Sequence, residues 1–254
     1  KNALAIQPDG KLVLAGQSSN GTTNDYSVVR LNSDGSLDTS FGVGGNQIID
    51  VGNDSYDIAR SVVIQPDGKL VLAGSSRDAN NYNNSAYSMV RLNSDGSLDS
   101  GFGIDGKLMI PAGNTNSPDT SVIIQPDGKL VLAGVTATLV VTTTGNSTTS
   151  YYNYSYNIMR FNNDGSFDSG FGAGGKLLVP VSNAYSVLSA ALQPDGKLVL
   201  TGSSNQNNNY DYVVMRINAD GSLDSGFGNS GVMLEVPIAS NIAITGTEDD
   251  SLII

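Results

Sequence analysis

The octet Gln65-Pro66-Asp67-Gly68-Lys69-Leu70-Val71-Leu72 occurs four times in the chain, beginning at Gln7, Gln65, Gln125 and Gln193. The starts lie 58, 60 and 68 residues apart, a period that marks a repeat architecture. Within the octet, proline presets φ for the first position of a turn and aspartate suits the second. Glycine takes the left-handed position, so the stretch reads as a three-residue hairpin loop. The apolar run that follows, Leu70-Val71-Leu72-Ala73-Gly74, offers no polar face and predicts a strand covered on both sides.

Working outward, each copy carries a second marker, Asp-Gly-Ser-(Leu/Phe)-Asp, starting at Asp34, Asp95, Asp164 and Asp220. Upstream stands Tyr-x-x-x-Arg, with Tyr26, Tyr87, Tyr156 and Tyr212 followed by Arg30, Arg91, Arg160 and Arg216. Downstream comes Phe-Gly at Phe41, Phe102, Phe171 and Phe227. The second marker is a second glycine-centred turn, so one copy is two hairpins in series. In the second copy the strands are expected at 59–64, 69–74, 87–93 and 107–110, the third more exposed than the second because its residues alternate. The fold class is therefore all-β and β-propeller-like: four repeats of about 60 residues, each a four-stranded antiparallel blade. Residues 1–237 form this repeat domain, and 238–254 a C-terminal tail or linker.

Length varies in one place. The distance from the first Gln of the octet to Arg is 23, 26, 35 and 23 residues, whereas from Arg to the next Gln it is 35, 34 and 33. The variable segments 17–25, 75–86, 135–155 and 203–211 join the second and third strands, so they share one face of the blades. They read as loops rich in Asn, Ser, Thr and Tyr. Variable loops on a repeated scaffold are where binding sits, with Asn for adaptable hydrogen bonds and Tyr for stacking area. The candidate ligand-binding residues are Tyr82, Asn83, Tyr151, Tyr152, Asn153, Tyr154, Asn208 and Tyr210. The expected partner is a glycan or a surface protein. The alternative is self-assembly into an extracellular filament or layer through exposed strand edges.

Composition closes off other chemistry. The 254 residues include no Cys, His or Trp, which removes thiolate nucleophiles, disulfides, imidazole bases and the usual structural zinc sites. A net charge of −11 argues against nucleic acid, which needs a concentrated basic footprint. No apolar run is long enough for a membrane span, so no membrane insertion is expected. Glutamate occurs only at Glu235 and Glu248. Twelve of the aspartates are turn markers, and Asp25, Asp50, Asp54, Asp57, Asp78, Asp105, Asp119 and Asp211 scatter over loops without visible pairing. With no acid–base constellation, no catalytic residue is assigned and the chain is expected not to be an enzyme. Asn-x-Asp-Gly-x-x-Asp is reminiscent of calcium loops, but Arg30 and its counterparts occupy the first ligand position. No metal or cofactor is therefore expected, and Arg is read as pairing with the Asp after the turn or capping nearby carbonyls. Lys11, Lys69, Lys129 and Lys197 are read as solvated hairpin residues, and the Phe of Phe-Gly as a plug between blades.

Over residues 3–236 the paired markers resemble the delta-60 repeat of large bacterial surface and secreted proteins. That resemblance implies an extracellular or cell-surface location and brings no catalytic residues. The tail from Gly246, Gly-Thr-Glu-Asp-Asp-Ser-Leu-Ile-Ile, resembles the lead-in to the calcium-binding nonapeptide arrays of secreted toxins.

Overall fold

In the computed structural model the chain is built from strands and turns. The structure describes residues 2–52, 55–81, 85–113, 119–144, 147–181, 184–206 and 209–235. The strands are β1 (Ala3–Ile6), β2 (Leu12–Ser19), β3 (Asn24–Leu31), β4 (Asn46–Ile49), β5 (Ser55–Ile64), β6 (Leu70–Asp78), β7 (Ser85–Leu92) and β8 (Lys107–Gly113). There follow β9 (Thr120–Ile124), β10 (Leu130–Thr144), β11 (Ser147–Phe161), β12 (Lys176–Pro180), β13 (Ala184–Leu192), β14 (Leu198–Gln206), β15 (Asn209–Ile217) and β16 (Val232–Glu235).

Consecutive strands pair antiparallel in four runs: β1–β4, β5–β8, β9–β12 and β13–β16. Single parallel bridges, Asn24 to Tyr56 and Gly113 to Ala137, stitch the first three units. Among the described strands no pairing joins the first unit to the last, so the sheets do not close into a ring.

The turns form as their residues dictate. Gln65 N–H donates to the Lys69 carbonyl (2.8 Å) and Gly68 N–H to the Gln65 carbonyl (2.9 Å), with Gly68 at φ 84°. The second turn repeats that geometry: Asn93 N–H to the Ser97 carbonyl (2.8 Å), Gly96 N–H to the Asn93 carbonyl (2.9 Å), Gly96 at φ 90°. A type I turn closed by a left-handed residue demands glycine there, because a Cβ at φ > 0 is strained.

The hydrophobic cores lie between units. Val13, Ala15, Tyr26, Val28 and Phe41 of the first unit pack on Val62, Leu70, Leu72, Val90 and Leu92 of the second. Val71, Ala73, Tyr87, Met89 and Phe102 of the second meet Val122, Leu130, Leu132, Met159 and Phe161 of the third. Val131, Ala133, Tyr156, Ile158 and Phe171 of the third meet Leu198, Leu200, Val213, Met215 and Ile217 of the fourth. Strand β6 is buried on both faces from Leu70 to Ser76, as its unbroken apolar run requires. Strand β7 is buried from Tyr87 to Leu92 too, against the expectation of a more exposed third strand. Its Ser88 is covered because it meets the Tyr26 hydroxyl of the preceding unit (2.7 Å to Oγ).

Strand ends extend beyond the sequence reading where residues pair outside the apolar runs. The largest difference is in the third unit: the described residues of segment 135–155 form a two-stranded ribbon, Val135 to Thr144 paired with Ser147 to Tyr156. Thr, Val and Tyr suit a pleated backbone, so the insert continues the sheet.

Candidate functional site

The ribbon leaves its sheet where its neighbours stop. Strand β12 pairs with β11 only from Ser155 to Met159, and β9 with β10 only from Leu130 to Gly134. Residues 138–144 and 147–154 therefore pair only with each other among the described residues. Side chains alternate across the ribbon: Tyr152, Tyr154 and Tyr156 share one face, Tyr151 and Asn153 the other. Tyr156 is wholly buried against the fourth unit, its hydroxyl donating to the Ser203 carbonyl (2.7 Å), and burial pushes that hydroxyl's pKa up. Tyr154 is partly buried on the same core, whereas Tyr151 and Tyr152 are exposed.

Around the free edge of β11 lies an open groove of about 690 Å³, lined by Thr138, Tyr151, Tyr152, Asn153, Tyr154, Ser155, Pro180 and Val181. Its size falls within the range of small-ligand sites, and none of its lining side chains is charged. Four of the sequence-derived candidates, Tyr151, Tyr152, Asn153 and Tyr154, thus line the groove around this edge, two from each face of the ribbon. Tyr82, Asn83 and Asn208 lie outside the described residues. Tyr210 falls in β15 opposite Asn205.

Each repeat also builds an ionic cluster from its markers. Asp99 Oδ2 accepts from Arg91 Nε (2.6 Å) and from Lys69 Nζ (2.9 Å), and the Arg91 guanidinium stacks 4.7 Å over Phe102. Arg91 Nη1 reaches forward to the Asn163 carbonyl of the next unit. Asp38, Asp168 and Asp224 hold the same partners in their copies. The sequence reading of Arg stands, pairing with Asp and capping a carbonyl at once. That of Lys does not, because the turn returns Lys69 beside an aspartate 30 residues away. Burial pushes the Asp99 pKa up, but Lys69, the Gly101 N–H and Arg91 outweigh it and hold it at about 2. Asp168 is held at about 2 by Lys129, the Gly170 N–H and Arg160, against the upward push of burial. At Asp224, Lys197, Arg216 and the Gly226 N–H have the same effect.

Three of the aspartates read as scattered converge. Carboxylate oxygens of Asp25, Asp50 and Asp57 lie within 4.8 Å of one another at the junction of the first two units. Burial raises the Asp57 pKa, opposed by hydrogen bonds from Ser55 and from the Val51 and Gly52 N–H groups. Asp119 pairs with Arg60 at 3.1 Å. Oxygen ligands so placed are of the kind that hold hard cations, and carboxylates in unlike environments are also the raw material of acid–base pairs. Residues from β3, from the turn after β4 and from β5 gave no local signal in the sequence.

A family model described as "Domain of unknown function (DUF5122) beta-propeller" matches residues 7–41, 65–102, 125–171 and 193–227. No curated protein matches the chain. Among solved structures, a protein of unknown function from Dyadobacter fermentans DSM 18053 is similar at 12% identity and a TM-score of 0.51 over 88% of this chain; the chain spans 62% of that protein's length. Bacillus subtilis levansucrase in complex with oligosaccharides is similar at 14% identity and a TM-score of 0.42, over 91% of this chain and 67% of the other. Kuenenia stuttgartiensis hydrazine synthase is similar at 16% identity and a TM-score of 0.42, over 86% and 64%. These likenesses concern fold alone. The expectation that the chain is not an enzyme is corrected: it rested on aspartates scattered without pairing, and the convergence of Asp25, Asp50 and Asp57 removes that ground.

Proposed function

The chain belongs to the DUF5122 beta-propeller family, and from that premise we propose that it is a binding module of a bacterial surface or secreted protein, holding a glycan or a protein on its Asn-, Tyr- and Thr-rich face. Its four units act as four blades of four strands, a rigid base from which the variable connections project. The delta-60 likeness of the markers supports an extracellular setting. The absence of cysteine agrees with a fold that needs no disulfides to stand there.

One observation carries the reading: the groove along the free edge of β11, walled by Tyr151, Tyr152, Asn153 and Tyr154. Tyrosine rings give flat apolar area with a polar tip, which suits the faces of sugar rings. Asn153, Thr138 and Ser155 offer donors and acceptors without charge. A neutral glycan is favoured over a charged one because segment 136–154 contains no ionisable side chain other than tyrosine.

The test is a glycan array followed by calorimetry on any hit. Substitution of Tyr151 and Tyr152 together by alanine is expected to weaken binding by roughly 10-fold or more. A blank array together with capture of a defined cell-surface protein, lost in the same variant, selects the protein partner. Binding unchanged by the double substitution refutes the site.

A further inference from the structure

Three aspartates at the junction of the first two units have no cationic side chain paired with them among the described residues. Asp25 stands in β3, Asp50 follows β4 and Asp57 stands in β5. The parallel bridge from Asn24 to Tyr56 sets Asp25 beside Asp57. The β3–β4 pairing, ending at Tyr26 with Ile49, carries Asp50 to the other side of Asp25. One carboxylate oxygen of each lies within 4.8 Å of the others. Asp57 is wholly buried, Asp25 is 7% exposed and Asp50 is exposed. The ion pairs of the described residues engage Asp38, Asp99, Asp119, Asp127, Asp168 and Asp224 instead. Lys107 Nζ does meet Asp50, but at its main-chain carbonyl (2.6 Å).

Neutral donors hold these carboxylates in place. Asp57 accepts from the Val51 N–H (2.7 Å), the Gly52 N–H (3.4 Å) and Ser55 Oγ (2.7 Å), and Asp25 from Asn20 Nδ2 (3.2 Å). An ionised carboxylate offers about four acceptor sites, so both groups keep capacity for a further partner. A fourth oxygen points to the same spot. Ser76 of β6 is 1% exposed, and its hydroxyl has no hydrogen-bond partner among the described residues. It stands opposite Asp57 in the β5–β6 ladder, with Oγ 3.0 Å from where a β-carbon of Gly52 would sit. From there it favours the ionised Asp57 carboxylate without closing a hydrogen bond on it. A buried hydroxyl with no partner requires an explanation, and the carboxylates beside it supply one. The repeat scaffold does not call for these acids: at the second junction the positions of Asp25 and Asp50 carry Ala86 and Pro111, and at the third Ser155 and Pro180.

We propose that Asp25, Asp50, Asp57 and Ser76 bind one calcium ion, which ties the first unit to the second. All four offer oxygen, the ligand of hard cations, and the chain has no imidazole or thiolate to draw a softer metal. Calcium takes its ligands at about 2.3–2.6 Å, so opposite ligands stand roughly 4.6–5.2 Å apart. A cluster spanning 4.8 Å closes on it without rearrangement. Magnesium, at about 2.0–2.1 Å, would have to draw the same oxygens inward. The carboxylate charges offset that of the ion, and water entering on the exposed Asp50 side fills the remaining positions. The arginines that occupy the first ligand position at the marker turns have no counterpart among these four. The site is separate from the ribbon groove, so it stands or falls independently of glycan binding.

The test is calorimetric titration of calcium chloride into the full chain after stripping with chelator, together with melting in calcium and in magnesium. Binding at this site is expected with a dissociation constant of about 0.1–1 mM, the range of extracellular modules. Saturating calcium should raise the melting temperature by roughly 5 °C. Asp50→Asn changes an exposed residue, leaves the buried part of the junction alone, and is expected to weaken binding about 10-fold. Asp25→Asn with Asp57→Asn is expected to abolish both the binding and the melting shift, with circular dichroism checking that the variant folds. Asp127→Asn, in an exposed turn of the third unit, is expected to change neither. No binding up to about 10 mM calcium overturns the proposal. So does binding that Asp50→Asn leaves at full strength, which would place the ion elsewhere, the tail from Gly246 included. An equal melting shift with magnesium overturns the assignment to calcium.

Discussion

Gly74 and Gly16 hold the same place in their repeats, yet a β-carbon costs very differently at the two. At Gly74 it would strike the Ile58 carbonyl and the Tyr26 hydroxyl, and at Gly16 only the side chain of Asn2. Gly74→Ala is expected to destabilise by about 2–4 kcal/mol and Gly16→Ala by under about 1 kcal/mol, as denaturant midpoints at equal slope would measure. The arginines divide in the same way. Arg91→Met strips Asp99 of one of its two cationic partners and takes the Arg91 donor from the Asn163 carbonyl, a loss of about 2 kcal/mol, whereas the more exposed Arg216 should lose less on the same change. The aspartates they pair with set the acid limit. Their folded pKa values lie near 2 for Asp99, Asp168 and Asp224, below the unfolded value near 4. The stabilisation is therefore complete above about pH 4 and lost as pH falls toward 2. The melting temperature should drop steeply across that window, and Asp168→Asn should flatten the drop while lowering the plateau.

At the level of elements, the hairpin turns are legible in the sequence because Pro-Asp-Gly and Asn-x-Asp-Gly-Ser carry their backbone geometry in adjacent residues. The ribbon is not legible as sheet, although Thr138 to Thr144 is rich in β-branched residues, because length variation at that place is the mark of a loop. The partners of the lysines and the meeting of Asp25, Asp50 and Asp57 are invisible for another reason: they depend on contacts across turns and between units. Tyr151 to Tyr154 stand out by composition alone, and the structure supplies the edge that aligns them. Since residues 139–144 and 147–152 pair only with each other among the described residues, replacing 139–152 by an Asn-Gly turn should leave the melting temperature within a few degrees. The same change should abolish any ligand binding at the groove. A large loss of stability instead would show that the ribbon is structural.

Across the whole molecule, stability is distributed by neighbours. Among the described residues, the second and third units are covered on both sides and the first and fourth on one. Nearest-neighbour arrays of this kind open from their ends. Hydrogen exchange read by mass spectrometry should find β6, β7 and the base of β10 the slowest, with β1 and β16 the fastest. Uniform protection across the four units would require a closed ring in solution.

The tyrosine, arginine and glycine contacts between units all point the same way along the chain. Tyr26 reaches Ser88, Arg91 reaches Asn163, and Gly172 reaches Asp220, each from an earlier unit into a later one. Loss of one of these marker side chains is therefore felt at the seam with the following unit. Trimming Tyr87 leaves its own turns and ion pair intact but opens a hole over Gly134, so its symptoms should surface in the third unit while the first stays quiet. Damage in this molecule has a heading, and it is the heading in which a ribosome makes the chain.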